Sequence, residues 1–198
     1  MDNPTVDFYN SHAQEQAALY ETANMVSMYN RLATLLPAKG SILEIGCGSG
    51  RDARALAQMG FSVLATDASQ GMIREAQRRA EGGNEQLSFL HLPFPIPDNH
   101  PLFTEKFDLV LAVAVLMHLS PEERTKALVQ VSQLLKPTGI FYCSFKNQMS
   151  TDNRLYQHID AAELILDCRN VGLNNCLEES AKDILGRDTI WTTLMFRK

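Results

Sequence analysis

The chain is short of several things, and each shortage narrows what it does. It has only four cysteines, Cys47, Cys143, Cys168 and Cys176, and none stands in C-x-x-C or other zinc-ligand spacing. They read as reduced thiols in a cytosolic protein rather than as a disulfide scaffold. No H-E-x-x-H motif or paired-cysteine cluster occurs, so no metal site is expected. No apolar run is long enough to cross a bilayer. The amino-terminal Met-Asp-Asn-Pro-Thr-Val-Asp is acidic and polar, unlike a secretory signal. No membrane partner is therefore expected, and the expected location is cytoplasmic. Basic charge is in deficit as well, with 18 Lys and Arg against 23 Asp and Glu, a net charge of −5. That balance gives no general attraction to a phosphate backbone, so nucleic acid is not expected as a partner. Arg74, Arg78 and Arg79 lie close together, but they read better as a solvated helix face than as a binding patch. Internal repeats and low-complexity tracts are absent.

What is present is an alternation of helical and strand-like segments. A chain of 198 residues, 45% hydrophobic, fits one domain with a substantial core. Met25, Tyr29, Leu32 and Leu36 recur at helical spacing and predict an amphipathic helix over 12–35. Strands are expected at 41–45, 61–66, 86–91, 107–114 and 139–145, and two more at 173–179 and 189–197. Helices are expected at 51–59, from Ser69 to Gly82-Gly83, and from Asp160 to near Gly172. Ser120-Pro121-Glu122-Glu123 starts another, with a capping serine, proline at the first turn and glutamate three on. The strand over 107–114 is continuously apolar, as a central parallel strand should be. The alternation predicts a doubly wound, Rossmann-like α/β fold, a sheet layered between helices as a three-layer sandwich.

The most informative stretch is Ile42-Leu43-Glu44-Ile45-Gly46-Cys47-Gly48-Ser49-Gly50-Arg51-Asp52. It reads as a buried strand, a glycine-rich turn and a helix start. Alternating glycines let the backbone approach a ligand, and the following helix aims its first amides at negative charge. Asp67 ends the next strand, placed to accept bonds from ribose hydroxyls. Together these make a nucleoside-binding signature. The dinucleotide fingerprint G-x-G-x-x-G/A is not met, because its last position is Arg51. The pattern is instead E-x-G-x-G-x-G, from Glu44 to Gly50.

That pattern resembles the class I S-adenosylmethionine-dependent methyltransferases. Further segments match in order: Asp67 at the end of strand two, Phe107 to Leu119 as strand four with its cofactor-facing loop, and Leu134-Leu135-Lys136-Pro137-Thr138-Gly139 as the turn before strand five. The resemblance covers roughly residues 40–198. It implies seven strands in the order 3-2-1-4-5-7-6 with the last antiparallel, all in a single domain over 1–198 with 1–38 as a helical cap. It implies S-adenosylmethionine as cofactor and S-adenosylhomocysteine as product. The implied cofactor-binding residues are Glu44, Gly46, Cys47, Gly48, Gly50, Arg51, Asp67, Ala68, Met72, His91, Leu92, Ala112 and Val113. Many relatives carry an acid just after strand three for the adenine amine. Here the text is Phe89-Leu90-His91-Leu92-Pro93-Phe94, so backbone groups of His91 and Leu92 are the expected substitutes.

For catalysis, His118 follows strand four, and imidazole has a suitable pKa for proton removal; the alternative is a histidine that bonds backbone and caps the next helix. Tyr9 and Tyr20 lie in the segment that in relatives folds over the cofactor, and each is otherwise a packing aromatic. Trp191 and Phe196 are expected in the core. The D/N/S-P-P-Y/F motif of base N-methylation is missing after strand four, and no Pro-Cys dipeptide offers a C5-cytosine nucleophile. A small-molecule acceptor follows, methylated on O, N or S by metal-free displacement, in a monomer or homodimer. The expected lid is the N-terminal helix, the proline loop 93–104, and Lys146 to Gln157. Two alternatives remain: a cofactor-binding regulator or complex subunit without transferase activity, and a nicotinamide-dependent oxidoreductase on a similar fold.

Overall fold

The computed structural model describes residues 3–147 and 152–198. Seven strands form one sheet: β1 Ser41–Ile45, β2 Ser62–Asp67, β3 Leu87–His91, β4 Phe107–Val113, β5 Leu135–Lys146, β6 Asn174–Lys182 and β7 Ile190–Arg197. Their order is β3-β2-β1-β4-β5-β7-β6. β1 to β5 pair in parallel, whereas β7 runs antiparallel between β5 and β6. The expected order and the antiparallel tail hairpin are both found.

Seven α-helices accompany the sheet in the described residues: α1 Pro4–Ser11, α2 Ala13–Glu21, α3 Val26–Leu35, α4 Arg51–Gln58, α5 Gln70–Arg79, α6 Pro121–Leu134 and α7 Ala161–Asn170. Two apolar clusters hold the layers together. One contains Leu43, Val110, Phe141 and Phe196 with Leu128 and Val131 of α6, and the other contains Ile42, Leu109 and Ile140 with Leu32 of α3 and Leu56 of α4. Adjacent strand residues divide between the two clusters, because successive side chains point to opposite faces.

The helix starts follow their capping chemistry. Ser120 forms the full capping box with Glu123, and Ser69 and Asp160 accept first-turn amides of α5 and α7. The amino-terminal reading needs correction. The single helix expected over 12–35 is two helices, α2 and α3, separated at 22–25 where Thr22 closes α2 and Asn24 accepts the amide of Val26. A further helix, α1, precedes them, capped by Asn3 and carrying Pro4 at its first turn. Strand five also begins earlier than expected: Leu135 already pairs with Phe107, and the residues up to Gly139 loop out before Ile140 meets Leu109.

The proline loop is anchored to α6 at Ile96. Gln130 of α6, buried, accepts the Ile96 amide at 2.8 Å and donates to the Ile96 carbonyl at 2.7 Å. The expected lid Lys146 to Gln157 lies partly outside the described residues, at 148–151. The arginine group on α5 is partly neutralised, since Arg78 and Arg79 both face Glu75.

Candidate active site

A cavity of about 470 Å³ opens above the carboxyl ends of β1, β2 and β4, within the ~300–1,000 Å³ usual for small-molecule sites. Strand order reverses between β1 and β4, and doubly wound sheets form their binding crevice at such a switch point.

The glycine turn makes the floor. Gly46 sits at φ +68, where a Cβ would stand 2.5 Å from Val115 Cγ2. Only glycine fits that position without moving the β4 loop. The Gly48 amide donates to Asp67 Oδ2 at 2.9 Å, and the Ser69 amide donates to Asp67 Oδ1 at 2.8 Å. Asp67 thereby ties the glycine loop to the start of α5, and burial pushes its carboxyl above the ordinary range. Glu44 is 3% exposed, its Oε2 has no hydrogen-bond partner, and burial followed by the neighbouring Asp52 charge pushes its pKa up. Such an orphaned atom costs stability unless a ligand satisfies it.

Of the thirteen expected cofactor residues, ten line the cavity: Glu44, Gly46, Cys47, Gly48, Arg51, Asp67, Ala68, Met72, Leu92 and Val113. Three do not. Gly50 faces the opposite way, where a Cβ would meet Phe89 at 2.8 Å, so it serves the packing of α4 on β3. Ala112 points into the core, because β4 turns only alternate residues to the cavity. His91 is exposed, with Nε2 on the Ala68 carbonyl at 2.9 Å. The Leu92 amide is already given to the Asp67 carbonyl at 3.0 Å, so it is not the free substitute for the missing acid. Arg51 is engaged too: Nε and Nη2 grip Asp52 at 2.7 and 3.0 Å, and Nη1 donates to the Tyr20 carbonyl at 2.7 Å.

His118 and Tyr9 both line the cavity. His118 Nδ1 lies 2.7 Å from the Leu155 carbonyl, which only accepts, so Nδ1 carries the proton and Nε2 a lone pair. That Nε2 is buried with no partner, and burial lowers the imidazole pKa, so the ring is neutral at pH 7. Tyr9 Oη accepts from Tyr20 Oη at 3.2 Å and from Arg154 Nη1 at 3.0 Å, which leaves its own proton to donate.

The amino-terminal helices close over this side. Asn10 of α1 accepts from Ser69 Oγ and the Gly71 amide, and Arg54 of α4 grips Glu21 of α2 at 2.7 Å. The second wall was foreseen only in part: Lys146, Arg154 and Tyr156 fall in the expected lid, whereas the tail-hairpin residues were not expected here. Lys146 at the end of β5, Arg154, Tyr156, and Asp183, Arg187 and Trp191 of the tail hairpin all border the cavity. Trp191, expected in the core, packs against it only in part: it also donates Nε1 to Asp183 Oδ2 at 2.6 Å and borders the cavity, whereas Phe196 is fully buried as expected. No short motif marks these residues; the signal was the lysine closing strand five and the tryptophan paired with it in the last strand.

The comparisons with known proteins agree with this geometry. Residues 42–139 match the family model for a methyltransferase domain. The chain is 33% identical over 131 residues to the ubiquinone biosynthesis O-methyltransferase of Dinoroseobacter shibae, covering 65% of this chain and 51% of that one. The chain spans about half the length of the curated relatives it matches. Its fold is similar to that of the 1,6-didemethyltoxoflavin-N1-methyltransferase of Burkholderia thailandensis, solved with 1,6-didemethyltoxoflavin and S-adenosylhomocysteine, at TM-score 0.81 and 20% identity over 98% of this chain and 87% of that one. It is also similar to the [4+2]-cyclase SpnF, at TM-score 0.66 and 19% identity over 87% of this chain and 80% of that one. Through residues 42–139, the segment that builds the glycine turn and its acid, the chain matches the methyltransferase-domain family, and the comparisons together support a class I S-adenosylmethionine-dependent methyltransferase.

Proposed function

We propose that this chain binds S-adenosylmethionine and transfers its methyl group to a small-molecule acceptor by metal-free displacement. The observation that carries this reading is a pair of buried, unpartnered polar atoms on one cavity: Glu44 Oε2 and His118 Nε2. They fit a ligand with an ammonium group to meet a carboxylate. Glu44 and Asp67, both raised by burial, gain from a cation beside them. Asp67, with each oxygen already accepting one amide, keeps lone pairs for ribose hydroxyls. Met72 and Leu92 offer apolar surface to the base.

When bound, the cofactor supplies an electrophilic sulfonium methyl. The chain's part is to align the acceptor and exclude water, and such positioning is worth about 7–11 kcal/mol of barrier. His118 takes the acceptor proton at Nε2 while the Leu155 carbonyl holds Nδ1–H and fixes the tautomer. Tyr9, with both lone pairs filled, donates its own proton toward the cavity. Over 1–198 the chain acts as one domain, with 1–38 as the cap that encloses the ligand.

The test is turnover: purified protein, S-adenosylmethionine and a panel of phenols, catechols and nitrogen heteroaromatics, read by mass spectrometry for an added methyl group. Methylation that survives EDTA supports the reading. S-adenosylhomocysteine binding with no turnover on any acceptor favours a regulator or complex subunit. Loss with EDTA and rescue by Mg²⁺ replaces metal-free displacement with a cation-held diol.

A further inference from the structure

The second wall carries information about the acceptor that the cofactor side does not. Four cations border it: Lys146, Arg154, Lys182 and Arg187. Arg154 is taken by Asp152 and Arg187 by Asp183 at 2.6 Å. Lys146 has no ion-pair partner among the described residues, and it is half-buried at the end of β5. Its Nζ stands 5.3 Å from the centroid of the Tyr156 ring. The same ring lies 4.7 Å from His118, centroid to centroid. Lys146 and the proposed base therefore both stand against one aromatic ring. Trp191 pairs with Lys146 across the β5–β7 register, so both side chains stand on one face of the sheet. Lys182 is also without an ion pair among the described residues, but it pairs with Ile190, one position out of that register, and is exposed.

We propose that the acceptor is a planar aromatic carboxylate, with Lys146 Nζ receiving the carboxylate and the rings of Tyr156 and Trp191 beside the acceptor ring. This rests on the methyltransferase reading and names its acceptor class. The electrostatics agree. Burial, then Arg187 and Arg154, lowers the Lys146 pKa, and an anion is the ligand that relieves that crowding of positive charge. Asp183 does not supply it: although burial opposes ionisation, Arg187, Trp191 and the Leu185 amide hold its carboxyl down to about 2, fully committed to them. A lysine at this place acts as a point charge, so it selects for charge rather than for bidentate shape. The carboxylate also sets the register of the acceptor, placing a ring hydroxyl or amine at the His118 end.

The experiment is calorimetry on the S-adenosylhomocysteine complex with salicylate, 4-hydroxybenzoate and 3,4-dihydroxybenzoate, each against its neutral amide. At least one acid should bind about tenfold tighter than its amide, ~1.4 kcal/mol by the affinity relation. Lys146→Met and Lys146→Gln should erase that preference, and Lys146→Arg should keep most of it. S-adenosylhomocysteine affinity, measured first on each variant, confirms that the fold and cofactor side are intact. No acid binding, equal affinity for acid and amide, or a preference that survives both neutral variants overturns the proposal. A wild-type protein that does not bind S-adenosylhomocysteine defeats the methyltransferase reading instead, so the two failures are distinct.

Discussion

One wall of the cavity comes from the turns after β1 and β2 and carries Glu44, Asp52 and Asp67 against Arg51; the other comes from the end of β5 and the tail hairpin and carries Lys146, Arg154 and Arg187 against Asp183. The first wall is acidic, deeply buried and left with unpartnered oxygen. The second is basic, more open and ringed by aromatics. A cavity that only needed to hold one nucleoside would not divide its charge in this way. The division suits two ligands of opposite sign, a cationic cofactor against the carboxylates and an anionic acceptor against the lysine. It also places the proposed base, His118, beside Tyr9 of the cap and Tyr156 of the basic wall, at ring-centroid distances of 6.2 and 4.7 Å.

The largest effect should come from removing the strand under the basic wall. Truncation after Asp188 deletes β7, which lies between β5 and β6 and buries Leu194 and Phe196. Soluble expression should be lost, as read by the yield in the soluble fraction. A soluble truncated protein that still bound cofactor would show that the acidic wall stands without the basic one.

His118→Ala should lower kcat by about 10²–10⁴-fold, the span usual for one general base, with S-adenosylhomocysteine affinity almost unchanged. In the wild type, burial lowers the imidazole pKa. The base form therefore prevails at pH 7, and the acidic limb of the rate profile should fall below the ordinary imidazole value of 6.5. A fully active variant would return His118 to a structural role.

Glu44→Gln probes the acidic wall alone. The folded-state pKa of Glu44 is raised, so its contribution to stability is most favourable at low pH and is lost as pH rises from the unfolded value through the folded one. Replacing it should weaken S-adenosylhomocysteine about tenfold yet raise the apo Tm at pH 8 by about 2–4 °C, ~1 kcal/mol for a chain of this size. The gain should vanish near pH 4. A lower apo Tm at pH 8 would mean that the acid stabilises the empty fold.

The two walls also differ in how legible they were. Glu44 through Asp67 is one contiguous stretch, and alternating glycines with an acid ending the next strand have few other uses. The sheet order came with the family resemblance that this stretch carries together with 107–119 and 134–139. The second wall is gathered from 146–191 with no motif at all. Its residues meet only because β7 inserts antiparallel beside β5 and brings Trp191 opposite Lys146. The misplaced residues fail for equally local reasons: Ala112 is one position off the face that Val113 presents, and Gly50 looks like its neighbours in sequence but guards Phe89 instead. The break between α2 and α3 was missed because the helical spacing of Met25, Tyr29, Leu32 and Leu36 belongs to α3 and its caps alone and was carried back to residue 12.

The division of the cavity is tested most directly by calorimetry of S-adenosylhomocysteine and NAD on the wild type and on Asp67→Ala. The account predicts one S-adenosylhomocysteine site, no heat from NAD, and a tenfold or greater loss in the variant, ~1.4 kcal/mol for a charged hydrogen bond. Equal affinity in the variant would remove Asp67 from the site. Tight NAD binding with no S-adenosylhomocysteine binding would contradict the account.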